Sequence, residues 1–455
     1  MHAPRGSRLT AGLWTIFILF WWVATAFIAR LPSVWAVTIT SPAFALGLLW
    51  IYIGVWNVAL VRAQNPRIVW MRAITVTIVS VLGLVLLEAP AAGGWLDYAA
   101  VRGALTGAWH GPADDFVDDP VLSFRRPPLS HWSGFPQSAM AQVFNLPIHS
   151  AYRQTFSTDA RGFRNPAALD RADIAIIGDS YVEGAYVSDE ETVAVRLGEL
   201  THAKVANLGV SGYGTLQEEI IFDRYALPLH PRMVVWFFFE GNDLDDDQSF
   251  EDMMLYEDGV RKPRVAEPWN ATFRRLRARS LTWNAFEELR QISDSLVPNA
   301  IDSAGWFRDA TGNERELLFF DFYATRQLGP FERARLEKAE AAFLRVAARC
   351  RERGIRLVVG YVPIKFRVYG SLCSYPAGSR CPQWHPWDLE SLFAAFCREN
   401  GIEYMPLTEP MRQAASAGAV LYAPEDSHWS SDGHRFVAGL IQERWDKPTS
   451  LTSDH

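Results

Sequence analysis

Three residues at two distant places in this chain have side chains that together can perform nucleophilic catalysis. Ser180 stands in "GDS" directly after the apolar run "DIAII", and His428 stands near the C-terminal end, two residues after Asp426. A serine hydroxyl is a weak nucleophile until a neighbouring base takes its proton, and an aspartate can hold that base in the required tautomer. The pattern predicts Ser180 as nucleophile, His428 as general base and Asp426 as the residue that orients His428.

Each of these residues also has a simpler interpretation. Ser180 could cap the helix that follows it, because Ser and Asp are favoured at helix N-caps. Ser188 and Glu191 form a better capping box for the next helix, which leaves Ser180 without an obvious capping role. An isolated Asp-x-His is more often a surface turn than a catalytic pair. The two segments alone therefore leave both interpretations open.

Two further turns could stabilise the negative charge that forms when a serine attacks an ester. Gly212 lies in "NLGVSGYGT" and Asn242 in "EGND". Glycine lets a backbone N–H approach a ligand closely, and an asparagine amide donates a hydrogen bond without carrying charge. Together with the Ser180 N–H they predict an oxyanion hole. The alternatives are an ordinary glycine turn and an Asx-turn.

The elements that must position these residues follow from short apolar runs bounded by turn residues. These runs alternate with helix-like segments such as 188–200 and 333–353, and their near-continuous apolar character is typical of strands buried on both faces of a parallel sheet. Ligands bind such sheets at the carboxyl ends of the strands, so the three polar turns should meet at one edge. The runs are "DIAIIGDS", "AKVANLGV", "RMVVWFFFEGND", "IRLVVGYV" and "GIEYMPL".

Four blocks in this order, "GDSYVEG", "NLGVSGYGT", "EGND" and "DSHWSSDGH", resemble the SGNH (GDSL-like) esterase and acetylhydrolase superfamily. The resemblance covers roughly residues 155–445. It implies an α/β fold, a flavodoxin-like three-layer α/β/α hydrolase domain. It also implies Ser180 as nucleophile, Gly212 N–H and the Asn242 side chain as oxyanion donors, and His428 as base.

One departure concerns the acidic residue. Most of the superfamily has Asp three residues before the catalytic histidine, where this chain has Glu425. Aligning the block on H-x-x-x-x-G places His428, followed by Gly433, at the catalytic position and leaves His434 in a helix. The Asp-x-His-Trp pattern also looks like that of the alginate O-acetylation relatives. Asp426 is therefore assigned as the orienting residue, with Glu425 as the alternative.

Residues 1–97 are predicted to form a membrane region, because they contain long uncharged runs. Three transmembrane helices are expected near 11–29, 40–61 and 73–93. A cleaved signal peptide is the alternative for the first. By the positive-inside rule the body of the chain lies outside, as the periplasmic or extracellular domain of a multi-pass inner-membrane protein. The basic residues that indicate this are Arg5, Arg8, Arg62, Arg67 and Arg72.

The rest of the chain divides into an arm and a catalytic domain. Residues 98–154 are rich in Pro, Asp and Gly in their central part and predict a linker or surface-wrapping arm. The hydrolase domain is expected at 155–447. An insertion at about 245–332 is far longer than an ordinary connection and predicts a lid or substrate-binding segment, or a solvated helical excursion.

Cysteine usage and charge limit the environment and the partners. All four cysteines lie in the external part, and Cys373 and Cys381 bracket "SYPAGSR", which suits either a local disulfide or unpaired thiols. The net charge of −7 and the lack of a basic groove pattern exclude nucleic acid as the expected partner.

Two other functions remain as alternatives. A metal-dependent phosphoesterase is conceivable from six side chains, although no paired-histidine motif supports it. A catalytically silent binding or scaffold module of an envelope polysaccharide system could hold sugar rings with Trp384 and Trp387. The six side chains are Asp245, Asp246, Asp247, Asp426, His428 and His434.

The sequence favours a membrane-anchored serine esterase or O-acyltransferase with no metal and no cofactor. Its substrate is an ester-bearing small molecule or polysaccharide. Because three spans are too few to form an acyl-donor channel, a transferase would require a membrane partner protein.

Overall fold

The computed structural model divides the chain into two compact units. The first comprises Met1–Asp97 with Arg279–Trp283, and the second comprises Tyr98–Ala278 with Asn284–His455. The residues that the structure describes are 56, 65–96, 98, 101, 116–136, 138, 140, 150, 152–257, 260–263, 279–285 and 303–447.

The first unit contains helix α1, Pro66–Ala92, whose large apolar side chains are exposed. Near its C-terminal end the Glu88 carboxylate accepts hydrogen bonds from Ser280, Leu281 and Thr282, including the Thr282 backbone N–H at 2.6 Å. A carboxylate at the first N–H groups of a helical turn is favourable, because these groups have no partner within the helix. Part of the long insertion therefore belongs to the N-terminal unit.

Helix α1 overlaps the third predicted transmembrane segment. Within the described part of the chain, no helix has both the length and the hydropathy needed to cross a membrane. The first two predicted segments, 11–29 and 40–61, lie outside the described residues apart from Trp56.

The second unit is built on a five-stranded sheet of order β13-β12-β7-β5-β6. All neighbouring strands pair in parallel, and each strand falls in one of the five apolar runs. The prediction of an α/β fold with a parallel sheet is therefore confirmed. The strands are β5 (Ile174–Ile177), β6 (Val205–Asn207), β7 (Met233–Phe239), β12 (Arg356–Val362) and β13 (Glu403–Pro406).

The central strand β7 shows why these runs are continuously apolar. All seven of its residues are buried. Val235, Phe237 and Phe239 contribute to one apolar cluster, whereas the alternate residues Val234, Trp236 and Phe238 contribute to a second. Successive side chains of a strand point to opposite faces, so a sheet covered on both sides needs apolar residues at every position.

Helices of the second unit connect and flank these strands. The helices that matter below are α2 (Ser180–Glu183), α3 (Val193–Thr201), α4 (Thr215–Ile221), α5 (Asp243–Met253), α6 (Asp321–Ala324), α7 (Pro330–Arg353), α8 (Lys365–Tyr369), α9 (Leu389–Glu399), α10 (Thr408–Ser416) and α11 (Ser431–Trp445). Both helix-like segments predicted from the sequence are thus represented, by α3 and α7.

Short antiparallel pairs occur in the arm and in the insertion. In the arm, β1 (Val117–Asp119) pairs with β2 (Ser123–Arg125), and β3 (His131–Gly134) pairs with β4 (Gln154–Ser157) at the start of the hydrolase domain. In the insertion, β8 (Met254–Glu257) pairs with β9 (Val260–Pro263), and β10 (Ala304–Arg308) pairs with β11 (Glu314–Leu318).

None of the four cysteines forms a disulfide in this structure, so Cys373 and Cys381 are not bridged. Cys350, Cys381 and Cys397 are buried and Cys373 is half-buried. Small apolar thiols pack well inside a core, and three of these four lie in the two apolar clusters.

Helix α11 supplies a test of how tightly the segment after His428 is packed. A Cβ at Gly433 would collide with the Leu421 carbonyl oxygen, whereas a Cβ at Gly439 meets nothing within 4 Å. We expect Gly433→Ala to lower the free energy of unfolding by about 1–3 kcal/mol through overpacking. Gly439→Ala should raise it by roughly 0.5–1 kcal/mol, because alanine loses less backbone entropy. Thermal unfolding midpoints of the full chain check this, and equal midpoints for the two variants would contradict it.

Candidate active site

Ser180 lies at the carboxyl end of β5, where the chain turns sharply into α2. The turn needs Gly178, because a Cβ there would stand 2.5 Å from the Val182 Cγ2 atom. Asp179 is the N-cap of α2, and its Oδ1 accepts the Tyr181 backbone N–H at 2.9 Å. Since Asp179 caps the helix, the Ser180 hydroxyl is not used for capping and points elsewhere.

The Ser180 hydroxyl meets the imidazole of His428. Its Oγ lies 2.9 Å from His428 Nε2, and His428 Nδ1 lies 2.5 Å from Asp426 Oδ1. The same carboxylate oxygen accepts the His428 backbone N–H at 2.9 Å, which fixes the position of the Asp426 side chain. Asp426 is only 1% exposed. The structure therefore brings the three predicted residues into one continuous hydrogen-bond chain.

Electrostatics favour a histidine that can accept and hold a proton. Burial lowers the pKa of His428, but the Asp426 carboxylate outweighs this effect, and the net pKa lies above the ordinary 6.5. Burial raises the pKa of Asp179 to about 6, although its hydrogen bond from Tyr181 and the nearby His428 oppose the shift. Asp179 Oδ2 is also 3.3 Å from Ser180 Oγ, so it is a second acceptor for the serine proton.

The carboxylate of Glu425 does not face the histidine. Its Oε1 accepts a hydrogen bond from the Tyr186 hydroxyl at 2.8 Å. Asp426 therefore occupies the place beside Nδ1, although the family usually has its aspartate one residue earlier. The one-residue shift is accommodated within the turn, where Asp426 N donates to the Ala423 carbonyl at 3.2 Å.

Aromatic residues hold the loop that carries His428. The Tyr181 hydroxyl donates to the Ser427 carbonyl at 2.6 Å, and the Tyr181 ring lies 5.2 Å from the imidazole, between ring centroids. Trp429 is fully buried and packs edge-on against Tyr181 at 4.9 Å. Tyr181 therefore ties the strand–helix turn of the serine directly to the histidine loop.

The predicted oxyanion residues lie on the two neighbouring turns. Gly212 has a φ of +79°, a left-handed conformation that favours glycine. Asn242 is the N-cap of α5, and its Nδ2 donates to Asp246 Oδ2 at 2.7 Å. An amide nitrogen carries two hydrogens, so this bond leaves one for a ligand. Burial and, next to it, the negative charge of Asp179 raise the pKa of Asp246 to about 8. Asp246, the partner of Asn242, therefore lies within electrostatic reach of the serine turn.

A buried polar network holds the serine turn against its neighbours. Asn207 donates from Nδ2 to the Val182 carbonyl at 2.8 Å, and its Oδ1 accepts the Gly209 N–H at 3.0 Å. Glu183 forms a two-point ion pair with Arg126 of the arm, with both N–O distances at 2.8 Å. Burial raises the pKa of Glu183, but Arg126 and the Ser211 hydroxyl lower it more strongly. The arm is therefore joined to the helix that follows Ser180.

The acidic side chains considered as metal ligands are used in other ways. Asp245 forms ion pairs with Arg326 and Arg335 at 2.5 and 2.7 Å. His434 lies in α11, accepts the Val193 N–H at 3.2 Å, and has a pKa lowered to about 3, chiefly by burial. Among the described residues there is no group of three or more His, Cys, Asp or Glu side chains placed to hold a metal ion.

Trp384 and Trp387 are buried, at 7% and 5% exposure. Each belongs to one of the two apolar clusters of the core, so neither ring is presented to a sugar. The two aromatic residues named for a binding module therefore have a structural role.

Several residues of this site were not found from the sequence. Tyr181 and Glu183 stand inside the first block, but an apolar run cannot reveal which hydroxyl or carboxylate turns inward. Arg126 lies 57 positions from Glu183 in the sequence. Its place in "FRRPP" within a polar segment gave no signal that it would be buried.

The two adjacent carboxylates of the histidine loop provide a matched pair of variants. In Asp426→Asn we expect kcat to fall on the order of 10³–10⁴-fold, because the tautomer and charge of the histidine are no longer supported. Since His428 must be neutral to accept the serine proton, activity falls as the pH drops through its raised pKa. Asp426→Asn should therefore move this limb of the kcat/KM profile to lower pH.

Glu425→Gln is the control and should retain the rate and pH profile of the wild type, because Glu425 pairs with Tyr186. Hydrolysis of a short-chain aryl ester between pH 4 and 9 measures the rate and the pH profile of each variant. A larger loss in Glu425→Gln than in Asp426→Asn would reverse the assignment.

Comparison with known proteins gives a family. The sequence profile of the GDSL-like lipase/acylhydrolase family matches residues 176–436. No curated protein matches the chain significantly. Similar solved structures include a protein assigned to the lipolytic G-D-S-L family from Desulfitobacterium hafniense, at 13% identity, with 59% of this chain and 97% of that chain covered and a TM-score of 0.31.

Two acetylxylan esterases are also similar in structure. One covers 60% of this chain and 98% of its own at 11% identity. The other, a catalytic mutant from Geobacillus stearothermophilus, covers 62% and 96% at 9% identity. The TM-score is 0.31 for both. The profile match spans more than half of the chain and contains the turns of Ser180, Gly212 and Asn242 and the loop of His428. This chain belongs to the GDSL-like lipase/acylhydrolase family.

Proposed function

We propose that this protein is a membrane-attached serine esterase or O-acyltransferase that cleaves an acyl ester, most suitably on a carbohydrate, through an acyl-enzyme intermediate. The observation that carries the proposal is the hydrogen-bond chain from Asp426 through His428 to Ser180. An ester-hydrolysing serine enzyme is also what the family predicts. The carbohydrate acceptor rests on the Asp-x-His-Trp pattern of the last block.

In the first half-reaction Ser180 Oγ attacks the ester carbonyl carbon while its proton passes to His428 Nε2. The carbonyl oxygen becomes an oxyanion, and the N–H groups of Ser180 and Gly212 and the Asn242 amide stabilise it. Asp426 stabilises the imidazolium that forms. The tetrahedral intermediate then collapses, the bond to the alkoxide breaks, and His428 gives its proton to the leaving oxygen. Ser180 now carries the acyl group.

In the second half-reaction an incoming hydroxyl replaces the alcohol that left. His428 takes the proton of a water molecule or of an acceptor alcohol, whose oxygen attacks the acyl carbon, and the proton returns to Ser180 Oγ when the intermediate collapses. Water yields a free acid, and a carbohydrate hydroxyl yields a new ester. The same residues serve both outcomes, so the accessibility of the acceptor decides between hydrolysis and transfer.

Attachment to a membrane is supported by the N-terminal region. Ala11–Ala29 and Leu31–Val61 contain no charged side chain, and each is long enough to cross a hydrocarbon core of about 30 Å. Apolar side chains of α1, among them Trp70, Met71 and Leu86, are exposed in the structure. Basic residues flank these runs on the side that the positive-inside rule assigns to the cytoplasm. The catalytic domain would then face the periplasm or cell exterior.

The serine mechanism predicts a specific loss of activity. Ser180→Ala and His428→Ala should each lower the kcat for a short-chain aryl ester by at least about 10³-fold, because nucleophile and base act as one unit. The initial rate of alcohol release by the full-length protein in detergent measures this. His434→Gln is the control, since His434 accepts the Val193 N–H and lies outside the hydrogen-bond chain of Asp426, His428 and Ser180. If this variant folds, its rate should remain near that of the wild type. Retained turnover in Ser180→Ala would refute the proposal.

Hydrolysis and transfer can be separated by partitioning of the acyl-enzyme. We expect added carbohydrate to divert acyl groups from free acid to a new ester while the sum of the two acyl products still equals the alcohol released, because both products come from one intermediate. Mass spectrometry of the carbohydrate against released acid measures the ratio. Free acid as the sole product at every acceptor concentration, with or without a membrane fraction, would limit the protein to hydrolysis.

A further inference from the structure

A buried lysine stands behind the catalytic histidine loop. Lys365 begins helix α8, shortly after the carboxyl end of β12, and is only 4% exposed. Its Nζ atom donates to the backbone carbonyls of Ala423, Pro424 and Asp426 at 3.0, 2.9 and 2.6 Å. An ammonium group has three hydrogens, so the three carbonyls use its full donor capacity.

The surroundings of Lys365 are apolar, so burial of its ammonium group is unfavourable unless hydrogen bonds compensate for the lost hydration. Its Nζ lies 5.8 Å from the centre of the Phe319 ring and 3.9 Å from the Met140 sulfur. Lysine is almost never fully buried without partners, because an ammonium loses its hydration in an apolar environment. The compensation comes from the three loop carbonyls.

The titratable groups that face Lys365 come from four segments. Burial lowers the pKa of Lys365 to about 7, while Asp426, Glu425 and the Cys373 thiol act in the opposite direction. Tyr181 and Tyr323 line the same small cavity as Lys365. A neutral amine has only two N–H donors, so deprotonation would leave one of the three carbonyls without its hydrogen bond.

Loss of these bonds would act directly on the catalytic pair. All three carbonyls lie within the few residues before His428, and Ala423 N also donates to the His428 carbonyl at 3.0 Å. The Asp426 peptide is thus held by Lys365 on its carbonyl side, while the Asp426 carboxylate binds the histidine ring. A displacement of this loop moves the imidazole away from Ser180.

We propose that Lys365 is a positioning residue whose ammonium holds the carbonyls of Ala423, Pro424 and Asp426, so that Asp426 and His428 stand in line with Ser180. The inference rests on the proposed serine mechanism and assigns to Lys365 no contact with the substrate.

The test compares Lys365→Met with Lys204→Met in the full-length protein. Methionine keeps the length of the buried side chain without charge or donors, and Lys204 is an exposed control. A misplaced catalytic base predicts a loss of about 100-fold in kcat for Lys365→Met. KM should change little, because no substrate contact is removed, and Lys204→Met should match the wild type. Equal kcat values for Lys365→Met and the wild type would overturn the inference.

A pH profile distinguishes positioning from a purely structural role. The wild-type rate should decline as the pH rises through the pKa of Lys365, since the ammonium is lost, and this decline should be absent from Lys365→Met. If Lys365→Met does not fold, as judged by its melting temperature, the pH dependence of the wild-type protein alone tests the inference. Labelling of Ser180 by a fluorophosphonate should then slow above neutral pH, and a labelling rate that keeps rising to pH 9 would overturn the inference.

Ser180→Ala separates this inference from the proposed function. Loss of turnover in Ser180→Ala together with wild-type kcat in Lys365→Met overturns the positioning role alone. Turnover that survives in Ser180→Ala overturns the serine mechanism itself, and the inference with it.

Discussion

The hydrogen bond between His428 Nε2 and Ser180 Oγ joins residues that are 248 positions apart in the chain. The two residues meet because the serine turn follows a central strand of the parallel sheet and the histidine loop precedes the last helix, α11. Neither segment can make the site alone. The sheet places the carboxyl ends of its strands at one edge, and the turns that carry Asn242, Ser180 and Gly212 follow three adjacent strands, β7, β5 and β6.

Precision at that edge comes from buried polar contacts. Asp179 caps the four-residue helix of the serine, Asn207 binds that helix from the end of the neighbouring strand β6, and the Tyr181 hydroxyl binds the histidine loop. Buried polar groups are costly unless they are paired, and once paired they specify a single arrangement. The same argument applies to Arg126 and Glu183, whose ion pair fastens the arm to the hydrolase domain. Removing one partner of such a pair leaves a buried charge, which costs more than the pair contributes.

The sequence was most informative where one physical requirement governs a whole run. The strands could be predicted because a sheet covered on both faces needs apolar residues at every position, as β7 shows. Ser180 and Gly212 were recognisable because nucleophilic catalysis and close backbone approach each restrict the residue type. The sequence indicated less clearly that Asp426, and not Glu425, orients the histidine, because two adjacent residues in a turn can both approach a histidine. In the structure the Asp426 carboxylate binds His428 Nδ1, whereas the Glu425 carboxylate accepts a hydrogen bond from Tyr186.

Contacts between distant segments could not be read from the sequence. Lys365 and Arg126 look like surface residues by type, and their burial depends on carbonyls and carboxylates supplied by other elements. Trp384 and Trp387 were assigned to a possible sugar surface because aromatic residues serve both cores and carbohydrate sites. Both rings lie in the apolar clusters of the core, and no local feature of the sequence distinguishes an interior aromatic residue from a surface one.

The most direct test of the central claim is to trap the acyl-enzyme. The full-length protein would be mixed with an excess of aryl ester, quenched in acid during turnover, and digested for mass spectrometry. The account predicts one added acyl group on the peptide that contains Ser180, and none in Ser180→Ala. Turnover without a covalent adduct, or an adduct on another residue, would contradict the serine mechanism.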